Sequence, residues 1–271
     1  MKRLLKTVIP CLLIALPVFV LVDIGRYFFY PDVTFLKNNR PGKTAFMEHR
    51  EKVWRSKNIK KKISVSWVPL SQISPYVVKA VIIAEDDKFW SHEGFDFEAM
   101  QKALEKNLHQ KKFKMGGSTI SQQLAKNLYL SPTKSPVRKV KEAILTWRIE
   151  RELSKRRIME LYLNVAEWGD GLFGIRAAAR RYYRKSPAAL DAHEAAALAA
   201  ALPSPRRFHP ASGSRYASRR AARIYSIMER RGIVIREYEE VVGEEKENTK
   251  EEKTSPYDTG EIPLPQDLKL P

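Results

Sequence analysis

Val77, Val78, Val81 and Ile82 recur at the spacing of one helix face, behind a Ser74-Pro75 pair suited to a helix start, Ser as N-cap and Pro in the first turn. This helix reaches Glu85, where the apolar pattern gives way to "EDDKFWSHEG". In "GGSTISQQLAKNLYL", Ile120, Leu124 and Leu128 form a second apolar stripe, and Thr119, Gln123 and Asn127 form a polar stripe beside it at i, i+4 and i+8. Gly116-Gly117-Ser118-Thr119 opens that helix. A long amphipathic helix is predicted from about Val137 to Leu163. "GIRAAARRYY" and "AHEAAALAAALP" predict two more, the second stopped by Pro203 and Pro205. "GSRYASRRAARIYSIMERRG" predicts a last one, closed by Gly232. Strand signals are few beyond "ISVSWVPL", and no internal repeat is present, so the body reads as mainly α-helical.

The two ends follow different rules. An uncharged run from Thr7 to Val22 follows Lys2, Arg3 and Lys6 and precedes aromatics from Tyr27 to Tyr30. The run is slightly short for a membrane span, but Ile24 and the aromatics extend it. A cleaved signal peptide would want small residues after the apolar region, and "FVLVDIGRYFF" offers none. Residues 1–30 therefore read as a cytoplasmic N-terminus and a single uncleaved transmembrane helix, with everything after Asp23 outside. Residues 31–66 are polar and basic, a juxtamembrane connector. Residues 67–236 form the folded domain. Residues 237–271 are acidic and rich in Pro, Thr and Gly, the composition of a disordered tail.

Charge sharpens this division. The 271 residues hold 49 Lys and Arg against 31 Asp and Glu. From Glu237 onward there are 11 acids and 4 bases, leaving a net +25 on residues 1–236. A body this basic should seek polyanions: nucleic acid, an anionic membrane surface or a phosphorylated substrate. An extracytoplasmic body argues against nucleic acid. Cys11, the single cysteine, lies in the apolar run, so no disulfide, redox pair or thiolate metal site forms within one chain.

Three segments carry candidate chemistry. Glu85 and Asp86 end an apolar helix, so one carboxylate should be half-buried at the mouth of the core, with its pKa raised by burial and by its neighbour. The alternative is an ordinary polar helix end. In the second segment, free N–H groups at the helix start could receive an anion, and the amide-rich polar stripe suits a ligand-facing surface better than a solvated one. In the third, "SPVRKVKEAILTWRIERELSKRRIMELYLN", Arg138 and Glu142 share a face. Lys126, Arg138 and Lys139 lie available between Glu85 and Glu142. Paired carboxylates suggest glycosyl chemistry. Cations crowding one of them favour a donor whose leaving group is a pyrophosphate.

Together these segments, with "RKVKEAILTWRIERELSKRRIMELYLNVAEWGDGLFG", closely resemble the successive motifs of the peptidoglycan glycosyltransferases, glycosyltransferase family 51, over about residues 67 to 235. The resemblance implies a mainly α-helical, lysozyme-like fold that polymerises lipid II at the outer face of the plasma membrane. Glu85 matches the general base on the acceptor's 4-hydroxyl, Asp86 the acid beside it, and Glu142 the second essential glutamate. Lys126, Arg138 and Lys139 match the pyrophosphate contacts. Ser118, Thr119, Gln123 and Asn127 match cleft-lining residues, and Phe89 and His92 match positions shaping the first motif. The implied reaction inverts an α-linked donor to a β-1,4 linkage and releases polyprenyl pyrophosphate. No cofactor is obligatory, though a divalent cation (Mg²⁺ or Mn²⁺) assists some members. The implied partners are lipid II, the growing lipid-linked glycan, the plasma membrane and other cell-wall synthesis proteins.

The S-x-x-K at 131–134, "SPTK", has no K-T-G after it, so no transpeptidase is expected, and "NVAEWGDGLFG" looks like the monofunctional branch. "GDGLFG" matches G-x-G-x-x-G but is read as following a helix, which argues against a dinucleotide site. "EKNLHQKKFKM", with Leu108, Phe113 and Met115, reads either as a segment dipping into the lipid surface or as a solvated loop. Two rivals remain open: a lysozyme-like glycan-cleaving enzyme, which would not need the cation cluster, and a non-catalytic membrane adaptor, for which Glu85 would be dispensable.

Overall fold

The computed structural model describes residues 15–109, 117–133 and 135–234. Most of the N-terminal charge, Cys11, Gly116, Phe113, Met115, Lys134 and the tail from residue 237 lie outside the described residues, as does the side chain of Leu108. The second half of the apolar run is helical (α1, residues 15–25) and passes into a 3₁₀ turn at Arg26–Phe28. Among the described residues, no helix is long and apolar enough to cross a membrane.

The mainly helical expectation holds. Helix α2 spans Ala45–Ser56, inside the stretch read as a connector; Thr44 caps it, and it buries Met47, Arg50 and Trp54. Helix α3 (Pro75–Glu85) begins behind Ser74 as expected, although the Ser74 hydroxyl makes no capping bond. Helix α4 (Phe97–His109) occupies a stretch where no helix was expected. Helix α5 (Ile120–Tyr129) starts with a capping box in which Thr119 and Gln122 satisfy each other's backbone N–H.

The long helix expected from Val137 to Leu163 is two helices, α6 (Pro136–Glu152) and α7 (Lys155–Val165). The break lies at Leu153 and Ser154, both in extended backbone, and the Ser154 hydroxyl accepts from Arg157 N at 3.3 Å to start α7 afresh. A buried Leu153 at the break preserves the apolar periodicity, which hides the interruption.

Strand β1 is only Ser64–Val65; β2 (Glu167–Gly169) and β3 (Leu172–Phe173) form a hairpin, and the sheet order is β1-β3-β2, with β1 parallel to β3. The "GDGLFG" motif thus starts at the end of a strand, not after a helix: Gly169 closes β2 and Gly171 lies in the hairpin turn. Gly171 has φ +76, and a Cβ there would lie 2.1 Å from Trp54 Cη2. Gly174, at φ +84, faces the Asn164 carbonyl and precedes helix α8 (Ile175–Tyr183). Helices α9 (Ala192–Ala201), α10 (Pro205–Phe208) and α11 (Arg215–Arg230) follow.

Helix α5 is the central element: α2, α6 and α7 all pack on it, while α3 packs on the alanine-rich α9. Leu124, Leu145, Ile149, Ile158 and Met159 are fully buried between them. Small buried alanines on α9 let α3 pack closely against it. Arg50 clamps α2 to the hairpin through two bonds to Glu167, at 2.9 and 2.6 Å.

Candidate active site

Glu85 is the last residue of α3 and half-buried, its side chain 11% exposed. Gln123 Nε2 donates to Oε2 at 3.0 Å, and Arg220 Nη2 donates to Oε1 at 3.1 Å. Gln123 has its amide orientation set from behind. The buried Tyr162 hydroxyl donates to Gln123 Oε1 at 3.0 Å, which turns the amide N–H₂ toward Glu85. Burial pushes the Tyr162 phenol well above its ordinary range, so it stays protonated as that donor. Burial likewise raises the Glu85 carboxyl, against the lowering influence of Gln123, Arg220 and Lys126. A carboxylate raised above its ordinary range but held by two donors suits proton abstraction.

Asp86 points the other way. Its side chain is 1% exposed, and Oδ2 accepts from Ile120 N at 2.8 Å. His92 Nε2 lies 2.9 and 3.0 Å from the two carboxylate oxygens. Gly94 N donates to His92 Nδ1 at 3.0 Å, which leaves the ring proton on Nε2 for Asp86. The start of α5, expected to receive an anion, already has one: the Asp86 carboxylate occupies it, and the capping box takes Thr119 N and Gln122 N. Thr119 Oγ1 donates in turn to the Gly94 carbonyl at 2.7 Å. Phe89 is fully buried against Trp90 and beneath Lys155, which lies 4.8 Å from its ring centroid. Asp86, Phe89, His92 and Thr119 therefore brace the turn that carries Glu85.

Glu142 sits on α6 with its side chain 3% exposed, inside a cation cluster. Arg138 Nη1 donates to Oε2 at 2.6 Å and Lys139 Nζ to Oε1 at 2.5 Å; Lys139 also donates to Ser118 Oγ at 3.3 Å. The Arg138–Glu142 pair, expected from its spacing to share a face, is part-buried, with Glu142 the inner partner. Lys126 lies on α5 one turn beyond Gln123, with Nζ 5.5 Å from the Phe46 ring centroid. Burial holds its ammonium below the usual lysine range; Glu142 and Glu85 oppose this, and Arg138 and Lys139 add to it. Lys126 thus feels both carboxylates, and among the described residues it has no ion-pair partner. It is a buried cation short of a counter-charge, which an incoming anion would supply.

Glu85, Gln123, Lys126, Glu142, Arg138, Lys139 and Ser118 are therefore linked by contacts and mutual fields. Asn127 is buried one turn beyond Gln123. The polar stripe of α5 is mostly internal rather than open to a ligand: Thr119 and Asn127 are buried, and Gln123 alone is partly exposed. Arg220, Tyr162 and Phe46 were not anticipated. They come from α11, α7 and α2, distant in sequence, and only the arginine-rich pattern of α11 hinted at such a contribution.

The transglycosylase family profile matches residues 52–229. The chain is 49% identical over 185 residues to the biosynthetic peptidoglycan transglycosylase of Nitrosospira multiformis, covering 68% of this chain and 80% of that one. With the protein of the same description from Aromatoleum aromaticum, identity is 47% over 228 residues, 84% of this chain and 97% of that one. For the Dechloromonas aromatica relative it is 54% over 168 residues, 62% and 73% of the two chains. The matched stretch contains both carboxylates, the cation cluster and the α11 arginine, and on that footing this chain belongs to the transglycosylase family.

Proposed function

We propose that the chain is a peptidoglycan glycosyltransferase of cell-wall biogenesis that polymerises lipid II into β-1,4 glycan strands. The observation that carries this reading is the contrast between the two carboxylates. Glu85 is raised by burial and held by one amide and one guanidinium, whereas Glu142 is enclosed by two cations, Arg138 and Lys139, beside Lys126.

In this reading Glu85 takes the proton from the acceptor's 4-hydroxyl as that oxygen bonds to C1 of the donor sugar. The C1–oxygen bond to the pyrophosphate breaks on the opposite face, which inverts the α-linkage to β. Polyprenyl pyrophosphate leaves with the bonding electrons, and Lys126, Arg138 and Lys139 stabilise the charge it gains. Glu142 keeps these cations in place without a substrate. Asp86, His92, Phe89 and Thr119 hold the base-bearing turn, Ser118 stands beside Lys139, and the buried Asn127 supports α5 from within rather than meeting substrate. An Mg²⁺ or Mn²⁺ ion, where one assists, would accompany the substrate's pyrophosphate.

The same reading puts the domain outside the plasma membrane on a single-pass anchor with a cytoplasmic N-terminus. Exposed Phe28, Phe29, Tyr30 and Trp147 support a lipid interface near α1, where Arg148 donates to the carbonyls of Tyr27 and Phe29. Other cell-wall synthesis proteins remain proposed partners, and nucleic acid is not one.

The test is glycan formation from labelled lipid II by detergent-solubilised protein, wild type beside Glu85→Gln. Polymer from the wild type alone is expected. Soluble fragments released from preformed glycan would instead identify a hydrolase.

A further inference from the structure

A recess of about 960 Å³ opens between β1, the β2–β3 turn, α8 and α10, bordered by none of the residues assigned above to the reaction. Its wall is cationic. Helix α8 contributes Arg176, Arg180 and Arg181, and Arg184 follows just beyond its end. Arg206 faces them from α10, and Lys61 and Lys62 complete the rim. Arg176, Arg180 and Arg184 also border a second recess of about 580 Å³, so this row of guanidinium groups divides two hollows.

Among the described residues, little negative charge offsets this wall: Asp170 is the one acid lining the recess, and it is engaged by Lys61 at 2.7 Å with Arg50 at 4.0 Å. Among the described residues, Lys62, Arg180, Arg181, Arg184 and Arg206 have no ion-pair partner. Two further features border the recess. Arg184 adopts the left-handed conformation, φ +57 and ψ +23, at a helix end where glycine would sit without strain. His209, stacked on Tyr182, has a buried Nδ1 with no hydrogen-bond partner among the described residues.

We propose that this recess is a binding site for a linear phosphate polyanion. Arginine forks pair with phosphate oxygens through two parallel bonds, and Arg176 and Arg180, one turn apart on α8, stand about 6 Å apart along its axis, close to two repeats of a linear polyphosphate. A lipid headgroup fits less well, because no exposed aromatic side chain lines the recess and the exposed aromatic cluster of Phe28, Phe29 and Trp147 lies elsewhere. The site is independent of the transferase reading.

The experiment measures binding of labelled inorganic polyphosphate to the full chain in detergent. Arg176→Gln/Arg180→Gln/Arg184→Gln should bind at least about tenfold more weakly, with a salt slope smaller by two to three. The exposed triple Arg215→Gln/Arg219→Gln/Arg223→Gln on α11 removes the same charge and should bind like the wild type. Arg184→Gly relieves the backbone and should melt no lower than the wild type while binding more weakly. Glycan synthesis without polyphosphate should be unchanged in the α8 triple, which separates this site from the reaction. Equal loss in both triples would overturn the proposal in favour of diffuse charge. Equal affinity for polyglutamate would overturn it in favour of an acidic polypeptide. Loss of binding to anionic phospholipid vesicles, with polyphosphate binding intact, would overturn it in favour of a lipid surface.

Discussion

Arg220 and Glu85 stand 135 positions apart, yet Arg220 Nη2 lies 3.1 Å from the Glu85 carboxylate and 2.9 Å from the Ala84 carbonyl beside it. One guanidinium group thus ties α11 to the end of α3 and supplies positive charge to the proposed base. The same contact orients the carboxylate and restrains the rise in its pKa that burial imposes.

Removing that charge should move the pH profile. In Arg220→Gln the protonated form of Glu85 gains, so the acid limb of kcat/KM should shift to higher pH, with kcat at pH 7 lower by roughly tenfold. Arg220→Lys should restore much of the original limb. An Arg220→Gln profile superimposable on the wild type, with activity lower at every pH, would assign Arg220 a packing role only.

Glu85 itself should weaken the fold as pH rises. Its carboxyl is raised in the folded state, so between the ordinary carboxylate range and its folded pKa the native protein holds a proton that the unfolded chain has lost. Its contribution to stability is full at low pH and declines as pH climbs through that window. Glu85→Gln has no such decline. Melting temperatures from pH 4 to 9 should show the variant gaining on the wild type as pH rises, while glycan synthesis falls about 10²–10⁴-fold. A constant difference in Tm across this range would contradict the raised carboxyl.

The proposed base and the cation cluster were legible in the sequence because both depend on local order. An apolar helix that ends in acids places one at the core's mouth, and a spacing of four brings Arg138 onto Glu142. Burial was not legible. Spacing says that a pair meets, but the cover over Glu142 comes from the packing of α5 on α6. Arg220 and Tyr162 reach Glu85 and Gln123 through contacts spanning much of the chain, with no local periodicity to announce them. Helix α2 did carry a signal, Met47, Arg50 and Trp54 on one face, but the surrounding charges and a buried arginine diluted it. The α6–α7 break was concealed by an apolar residue standing where a continuous helix would also want one.

The cluster around Glu142 should depend on its single negative charge. Glu142→Gln leaves Arg138, Lys139 and Lys126 without a carboxylate, and stability should drop by about 3 kcal/mol. Inorganic pyrophosphate should restore much of the loss, because an anion that binds only the folded state stabilises it by mass action. Thermal melts with and without pyrophosphate would show a larger rise in Tm for the variant than for the wild type. An equal rise in both would mean that pyrophosphate binds elsewhere.

Gly171 should resist replacement more than the other residues of its motif. Alanine there would carry a left-handed backbone and press its Cβ within 2.1 Å of Trp54 Cη2, in a ring buried beneath the hairpin. Gly171→Ala should lower the yield of folded protein and its Tm. Pairing it with Trp54→Phe should recover part of the loss, leaving the backbone strain of about 1–2 kcal/mol. No recovery in the double variant would place the whole cost in the backbone.

Asp86 tests whether bracing and catalysis can be separated. Its carboxylate accepts from Ile120 N and from His92, joining the turn after Glu85 to the first residue of α5, the helix that also carries Gln123 and Lys126. If its work is to hold these two elements in register, Asp86→Asn should retain one acceptor for Ile120 N and keep measurable activity. Asp86→Ala leaves a buried N–H and a buried imidazole unpaired and should lose about 2–3 kcal/mol of stability. Both variants should lower kcat and leave the acid limb of the pH profile where it was, because Glu85 keeps its own donors, Gln123 and Arg220. A shift of that limb in Asp86→Asn would show instead that the Asp86 charge acts directly on the reacting proton.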